Sequence, residues 1–229
     1  MATFDDVSTC LKQFSGRARL FPLPNLVLFP HIMQPLHIFE QRYRDLLEDA
    51  LADDRLIAMA ALAPGWEKDY DGRPAMYPMA CLGRIVTHCR LDDGTYNVLL
   101  LGIRRVRLLQ EYSPTSRFRQ AQVQLCDDVY SLCSSARKRS LRRELRQALL
   151  RSLPAMPEAQ EQLDQLLGSE TSMGTLTDLI SYMLDLNVSR KQSLLSEVDV
   201  YRRAEMLLSF TATSYRTQPA LFPPTFSRN

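Results

Sequence analysis

His31, His37 and Glu40 fall within ten positions and form the grouping nearest to a metal site in this 229-residue sequence. Imidazole and carboxylate both ligate divalent metals. The spacing is not the H-E-x-x-H that sets two imidazoles on one helix face, and Pro35 stands between the histidines. Turn-exposed or partly packed histidines are therefore expected, with no metal and no other cofactor. His88 stands alone. Nucleophilic chemistry has no firmer basis. No serine lies in a G-x-S-x-G elbow, and nothing marks Cys10, Cys81, Cys89, Cys126 or Cys133 as activated by a neighbouring base. A G-x-x-x-x-G-K-[ST] phosphate loop is absent as well. The expectation is a protein without enzymatic activity.

Two other groupings are equipped to bind. Pro64–Met79 holds Trp66, Tyr70, Met76, Tyr77 and Met79, and Trp66 is the only tryptophan of the chain. Aromatic and methionine side chains offer large, adaptable contact area. Pro64, Gly65, Gly72, Pro74 and Pro78 keep the segment irregular. Its apolar side chains then either meet a partner or fold back over the core. The second grouping is Arg137, Lys138, Arg139, Arg142, Arg143, Arg146 and Arg151, opposed locally by Glu144 alone. Such a stripe suits a nucleic acid, an acidic membrane or an acidic partner. However, no aromatics interleave the arginines to stack bases. A solvated helix face outweighs the nucleic-acid reading, which stays as the alternative together with an unrecognised small hydrolase.

These groups need elements to hold them, and the apolar pattern changes near Asp127–Ser134. Before that point it comes in short runs punctuated by Pro, Gly and Asp. Arg19–Leu23, Leu26–Phe29, Arg55–Leu62 and Phe118–Cys126 read as strands. Cys81–Leu91 and Thr95–Leu109 read as a hairpin around Asp92-Asp93-Gly94. One helix interrupts them, over Phe39–Leu51, with Phe39, Tyr43, Leu46, Leu47, Ala50 and Leu51 on its apolar face and Glu40, Arg44 and Glu48 spaced for ion pairs. Several short strands and one helix suggest a small, partly closed barrel. After the change the period is helical. Ser135–Leu153 is expected to bury Leu141, Leu145, Ala148 and Leu149. Glu158–Leu167 and Leu176–Leu186 follow. A capping box at Ser189 and Gln192 opens a helix to about Ser196, and Asp199–Thr211 closes the series with Val200, Ala204, Leu207, Leu208 and Thr211 on one face.

Composition narrows the class further. Hydrophobic residues make up 45% and charged residues 24%, ordinary for a globular chain, which argues against wholesale disorder. A net charge of +2 is too small to imply a polyanionic partner for the whole chain. Leu20–Phe39 has the length of a membrane span and no formal charge, but Pro22, Pro24, Pro30 and Pro35 would break such a helix repeatedly. Five cysteines without C-x-x-C spacing give neither a disulfide framework nor a zinc knuckle. Together with an N-terminus lacking an apolar leader, they point to a reducing, cytoplasmic setting.

The stretch Phe21-Pro-Leu-Pro-Asn-Leu-Val-Leu-Phe-Pro30, followed by Pro35-Leu-His-Ile-Phe-Glu-Gln-Arg-Tyr-Arg44, resembles the opening of the Lon N-terminal domain, the substrate-recognition domain of ATP-dependent Lon proteases. Leu82-Gly83-Arg84-Ile85, Asp93-Gly94-Thr95 and Leu101-Gly-Ile-Arg-Arg-Val-Arg107 resemble its central hairpin. Lys191-Gln-Ser-Leu-Leu195 and Asp199-Val-Tyr-Arg-Arg-Ala204 resemble its closing helices. The match spans about residues 18–213 and looks closer to the standalone and RING-linked branch, although no Cys-x-x-Cys pair exists to form a RING.

The resemblance implies an α+β chain: a PUA-like pseudo-barrel with one early helix over 1–130, a helical bundle over 131–213 and a tail over 214–229. It implies structural roles for the motif residues Pro35, Phe39, Glu40, Arg42, Tyr43, Gly83, Gly94 and Gly102. It also implies non-catalytic binding of unfolded or exposed polypeptide segments, associated with a protease or chaperone. The residues themselves give no expectation of nucleic acid or membrane as a partner.

Overall fold

The computed structural model describes residues 10–113, 117–152 and 171–214. They fall into two compact units, one ending at Cys126 and one beginning at Asp127. The helix expected over 158–167 and the tail after Ser214 lie outside the described residues.

The first unit is a six-stranded sheet with one long helix. Its strands are β1 (Arg17–Leu23), β2 (Met33–Ile38), β3 (Leu56–Ala61), β4 (Met79–Arg90), β5 (Tyr96–Glu111) and β6 (Arg119–Cys126), in the order β2-β5-β4-β3-β1-β6. A further pairing of β5 with β6 closes the last five strands into a ring. Closure depends on the length of β5. Its first half pairs with β2, from Tyr96 opposite Ile38 to Leu101 opposite Met33. Its second half pairs with β6, from Arg105 opposite Cys126 to Glu111 opposite Ala121. Register shifts at Leu82/Gly83, Ile85/Thr87 and Leu108/Gln110 supply the bends that a closing sheet needs. β2 stays outside the ring, as an edge strand on β5.

Small side chains fill the ring. Ala18, Ala58, Ala60, Ala80 and Ala121 interleave there with Leu20, Leu56, Leu82, Val106 and Val123. The other face of β1 and β3 is buried as well, which is why these strands read as continuous apolar runs rather than alternations. Helix α1 (Gln41–Ala52) packs on β1 through Tyr43, Leu46, Leu47 and Ala50, and the Tyr43 ring stacks on Phe21 at 4.2 Å. Burying Leu46 and Leu47 completely contributes about 1.5–3 kcal/mol each.

Three sequence expectations are corrected in this unit. Leu26–Phe29 is not a strand. It is an irregular segment between Pro24 and Pro30 that buries Val27, Leu28 and Phe29, and the strand comes later, at β2. Phe39 precedes α1 and is 43% exposed, so it is not on the buried face. The Glu40–Arg44–Glu48 ladder does not form either. Arg44 donates to Gln41 Oε1 and to the Gly94 carbonyl, while Glu48 accepts from the Tyr96 hydroxyl.

The second unit is helical: α2 (Ser135–Ser152), α3 (Met173–Met183), α4 (Val188–Ser196) and α5 (Val200–Ser214). Beyond Cys126 the described residues contain no strand, only a single bridge between Val129 and Asp199. Ser172 caps α3 by accepting from the Thr175 amide at 3.0 Å. Asn187, not Ser189, caps α4, accepting from the Arg190 amide at 2.9 Å. Asp199 accepts from the Tyr201 and Arg202 amides at the start of α5. Leu141, Leu145, Ala148 and Leu149 of α2 are buried as their spacing predicts. On α5, Val200, Ala204, Leu207 and Thr211 are buried and Leu208 is half-buried.

Candidate functional site

The turn into α1 brings several of the singled-out residues together. Glu40 occupies the N-cap with extended backbone, yet its side chain does not cap the helix. Its carboxylate faces the loop instead, accepting from the Tyr70 hydroxyl at 2.9 Å and from Arg42 Nε at 2.8 Å. The Arg42 guanidinium lies 4.8 Å from the Tyr43 ring centre and 4.9 Å from that of Tyr70, and it donates to the Tyr70 carbonyl. Trp66 meets Tyr70 edge-on at 5.6 Å. Burial raises the Tyr43 phenol far above its ordinary range, and its hydroxyl donates to the Pro22 carbonyl at 2.9 Å. Burial, and then the bond to Glu40, raises Tyr70 too, so it stays a donor at neutral pH. Glu40, Arg42, Tyr43, Tyr70 and Trp66 are thus one cluster. Glu40 holds both the Tyr70 hydroxyl and the Arg42 guanidinium, which ties the loop to the start of α1.

The 64–78 loop is shaped, not loose. An Ala63 amide to Ala75 carbonyl bond of 2.8 Å closes its neck, and Trp66–Lys68 forms one turn of 3-10 helix. Trp66, Tyr70 and Tyr77 are half exposed. Met76 bridges to Leu62 and packs against the ring core. Met79 is 3% exposed as the first residue of β4, so it belongs to the core and not to a binding surface.

The outer face of β2, β5 and β4 carries an open, partly apolar surface. Pro35, Leu99 and Thr87 align across the three strands, as do His37, Asn97 and Cys89. With Leu36, His88 and Val98 these residues line a groove of about 320 Å³. His37 Nδ1 and Asn97 Oδ1 lie 2.9 Å apart, and the His37 and Phe39 ring centres 6.1 Å apart. Phe39 and Met33, 43% and 45% exposed, extend the apolar surface along β2. His37 and Glu40 therefore serve Asn97 and the Tyr70–Arg42 pair, and among the described residues no three His, Cys, Asp or Glu side chains gather as a metal site would require. The groove was missed in the sequence because alternation along β2 puts Met33 and Pro35, both apolar, on the outside.

The motif glycines shape this surface. Gly94 turns the hairpin with φ of +81°, and its carbonyl accepts from Arg44. A side chain on Gly102 would begin 2.1 Å from the Phe29 carbonyl oxygen, so only glycine lets that buried segment lie against β5. Gly83 faces Gly102 across the β4–β5 pair.

The basic helix α2 is largely committed within its own unit. Arg137 pairs with Glu144 and Glu205, Arg142 donates to the Thr171 carbonyl, and Lys138 lies 5.3 Å from the Tyr201 ring centre. One residue escaped sequence reading. Arg203 is wholly buried, donating to both oxygens of Asp128 at 3.0 and 2.9 Å and to Thr177 Oγ1 at 3.0 Å. The signal was present: Arg203 shares the i, i+3, i+4 face of Val200 and Ala204.

Residues 17–213 match the family described as the ATP-dependent protease La (LON) substrate-binding domain. Among curated relatives, Lon protease 2 of Myxococcus xanthus is 28% identical over 189 residues, 82% of this chain and 22% of that protein. The Lon protease of Heliobacterium modesticaldum is 29% identical over 204 residues, 88% of this chain and 24% of that protein. The chain thus spans about a quarter of the length of these relatives. The crystal structure of a Lon N-terminal domain protein from Xanthomonas campestris shares the fold, with a TM-score of 0.62 and 24% identity over 85% of this chain and 98% of that one. So does the N-terminal domain of the Mycobacterium avium complex Lon protease, with a TM-score of 0.64 and 18% identity over 86% and 98%.

Proposed function

This chain belongs to the LON substrate-binding domain family, and from that premise we propose that it is a non-catalytic domain that binds unfolded or exposed polypeptide segments. The observation that carries the reading is the apolar groove on the outer face of β2, β5 and β4, continuous with exposed Phe39 and Met33. Apolar side chains of an extended client would lose water there against Pro35 and Leu99, a gain of about 25 cal/mol per Å² of apolar surface covered. Trp66 and Tyr77 are half exposed and open to a client as well, and the Tyr70–Glu40 bond ties their loop to the turn that carries Phe39. A protease or chaperone acting on the held segment is the partner this role calls for. Five free thiols suit the cytoplasm as its setting. Among the described residues no helix is long and apolar enough to cross a membrane.

The test is a titration of the chain against a reduced, carboxymethylated model protein, followed by fluorescence anisotropy. Saturable binding to the unfolded form, none to the native form, and a loss of tenfold or more in Phe39→Ala/Leu99→Ala are expected. Absence of binding, or binding that the double substitution leaves unchanged, would overturn the reading.

A further inference from the structure

Edge strands expose unpaired backbone groups that invite another chain to pair with them, and among the described residues β2 is the one strand outside the ring, bonded to β5 alone. Which of its groups face outward follows from one rung. The Gly102 amide donates to the Ile32 carbonyl at 2.8 Å. In an antiparallel pair the bonded rungs recur at every second residue, so with this register they fall at Gln34–Leu100, Leu36–Val98 and Ile38–Tyr96. The backbone groups of Met33, Pro35 and His37 then face the free edge. At the centre of that edge Pro35 has no N–H to offer. Its remaining acceptor, the carbonyl, takes a 2.9 Å bond from the side-chain amide of its own neighbour Gln34. Gln34 is 7% exposed, so this amide is not a loosely held surface group.

We infer that Pro35 and Gln34 together seal the free edge of the sheet against strand addition, whether the added strand comes from a client or from a second copy of this chain. The donor is deleted and the acceptor occupied at the middle position, which leaves Met33 and His37 separated by a gap that a pairing strand cannot bridge with continuous hydrogen bonds. The sealing stands on β2 alone. Its consequence for clients rests on the polypeptide-binding reading: a segment held at this face would be recognised through its side chains in the groove, with its backbone unpaired. That consequence suits a domain that must accept many sequences without nucleating their aggregation on its own edge.

Two measurements test the sealing, and neither depends on client binding. Backbone amide exchange of the unmodified chain should alternate along β2, with Met33 and His37 exchanging roughly 100-fold faster than Gln34, Leu36 and Ile38. Slow exchange at Met33 and His37 would show that their outward amides are already paired and would overturn the inference. The second is Gln34→Ala/Pro35→Thr, which restores a donor and frees an acceptor at the centre of the edge. Sedimentation velocity should then show concentration-dependent association that the unmodified chain lacks, with protection of the Met33 and His37 amides as the dimer forms. A variant with native circular dichroism and unchanged association would refute the sealing. Should the double variant fail to fold, Pro35→Thr with Gln34 intact restores the donor alone: association should still rise, though less, and no rise in a folded variant would refute the part assigned to Pro35.

Discussion

The Tyr70 hydroxyl donates to Glu40 Oε1 at 2.9 Å and joins the middle of a surface loop to the N-cap of α1, thirty positions away in sequence. Bonds to a charged acceptor are worth about 1.5–3 kcal/mol when buried, and half exposure reduces this one to about 1 kcal/mol. Tyr70→Phe should lower stability by that amount in a urea titration. Trp66, 5.6 Å from the Tyr70 ring, reports the same event locally. Its emission should shift to the red as the loop loosens, before the global transition begins. Unchanged emission in a folded Tyr70→Phe would mean that the ring contacts with Arg42 hold the loop by themselves.

Gly102→Ala tests the closeness of Phe29 to β5. The added Cβ would meet a backbone carbonyl oxygen at 2.1 Å, and a backbone carbonyl cannot rotate aside as a side chain can. The His31 and Gly102 amides both bond across this contact, so both rungs would shift with it. Overpacking of this kind costs about 1–3 kcal/mol or more. The denaturation midpoint should fall accordingly, while Gly65→Ala, with nothing within 4 Å of the new Cβ, should lose only the smaller cost of its positive φ.

Arg203 carries a buried charge whose partners are fixed on other segments of its unit: Asp128, Thr177 and, at 3.5 Å, Asp178. Breaking a buried pair from one side leaves the other charge stranded, at about 3–5 kcal/mol. Arg203→Met should therefore destabilise the second unit by that order. Arg203→Lys should rescue little, since one ammonium cannot reproduce the two parallel bonds to Asp128. Calorimetry of both variants distinguishes this from a role for charge alone, in which lysine would restore stability.

Much of this architecture is legible in the residues because local pattern and tertiary role agree. The Asp92-Asp93-Gly94 turn, the apolar stripe of α2 and the change from strand to helical period all arise from local chemistry that packing then uses. The failures lie where packing overrides pattern. Leu26–Phe29 is as apolar as a strand, but the prolines on either side and the contact of Phe29 with Gly102 make it a buried coil. Phe39 fits the helical period of α1 by sequence yet precedes the helix and faces water. The candidate site was half visible. Glu40, Arg42, Tyr43 and the aromatics of the loop stood out by type, but nothing in the sequence says that Arg42 lies between Tyr43 and Tyr70. The groove was hidden because it comes from register, which aligns Pro35 with Leu99 and Thr87 across three strands far apart in the chain.

Glu111 gives the fold a defined pH dependence. Burial opposes its charge, but Arg119, which engages both carboxylate oxygens at 2.7 Å, and Arg73 more than offset this and hold it below the ordinary glutamate range. A carboxyl with a depressed folded-state pKa stabilises the fold above its unfolded value, about 4.3, and loses that contribution as pH falls through the lower folded value. The stability difference between the unmodified chain and Glu111→Gln should be full at pH 7 and shrink steadily below about pH 4.3. Guanidinium titrations at pH 7, 4 and 3 follow it. A difference that grows on acidification would contradict the pairing.

Phe39 and Met79 separate binding from folding. Both are large and apolar, but Phe39 is 43% exposed beside His37 and Met79 is 3% exposed at the start of β4. Truncating a buried methionine costs about 2–5 kcal/mol of stability, so Met79→Ala should lower the melting temperature and leave affinity for an unfolded model protein unchanged per folded molecule. Phe39→Ala removes little buried contact and should melt close to the unmodified chain. On the proposed reading it should instead cost about 2 kcal/mol of binding, roughly thirtyfold in affinity. Trp66→Ala and Tyr77→Ala, both half exposed, should show the same split with a smaller loss if their loop takes part in the proposed binding. A large fall in stability for Phe39→Ala with undiminished affinity would mean that the exposed ring serves the fold alone, and the client surface would then have to lie away from β2.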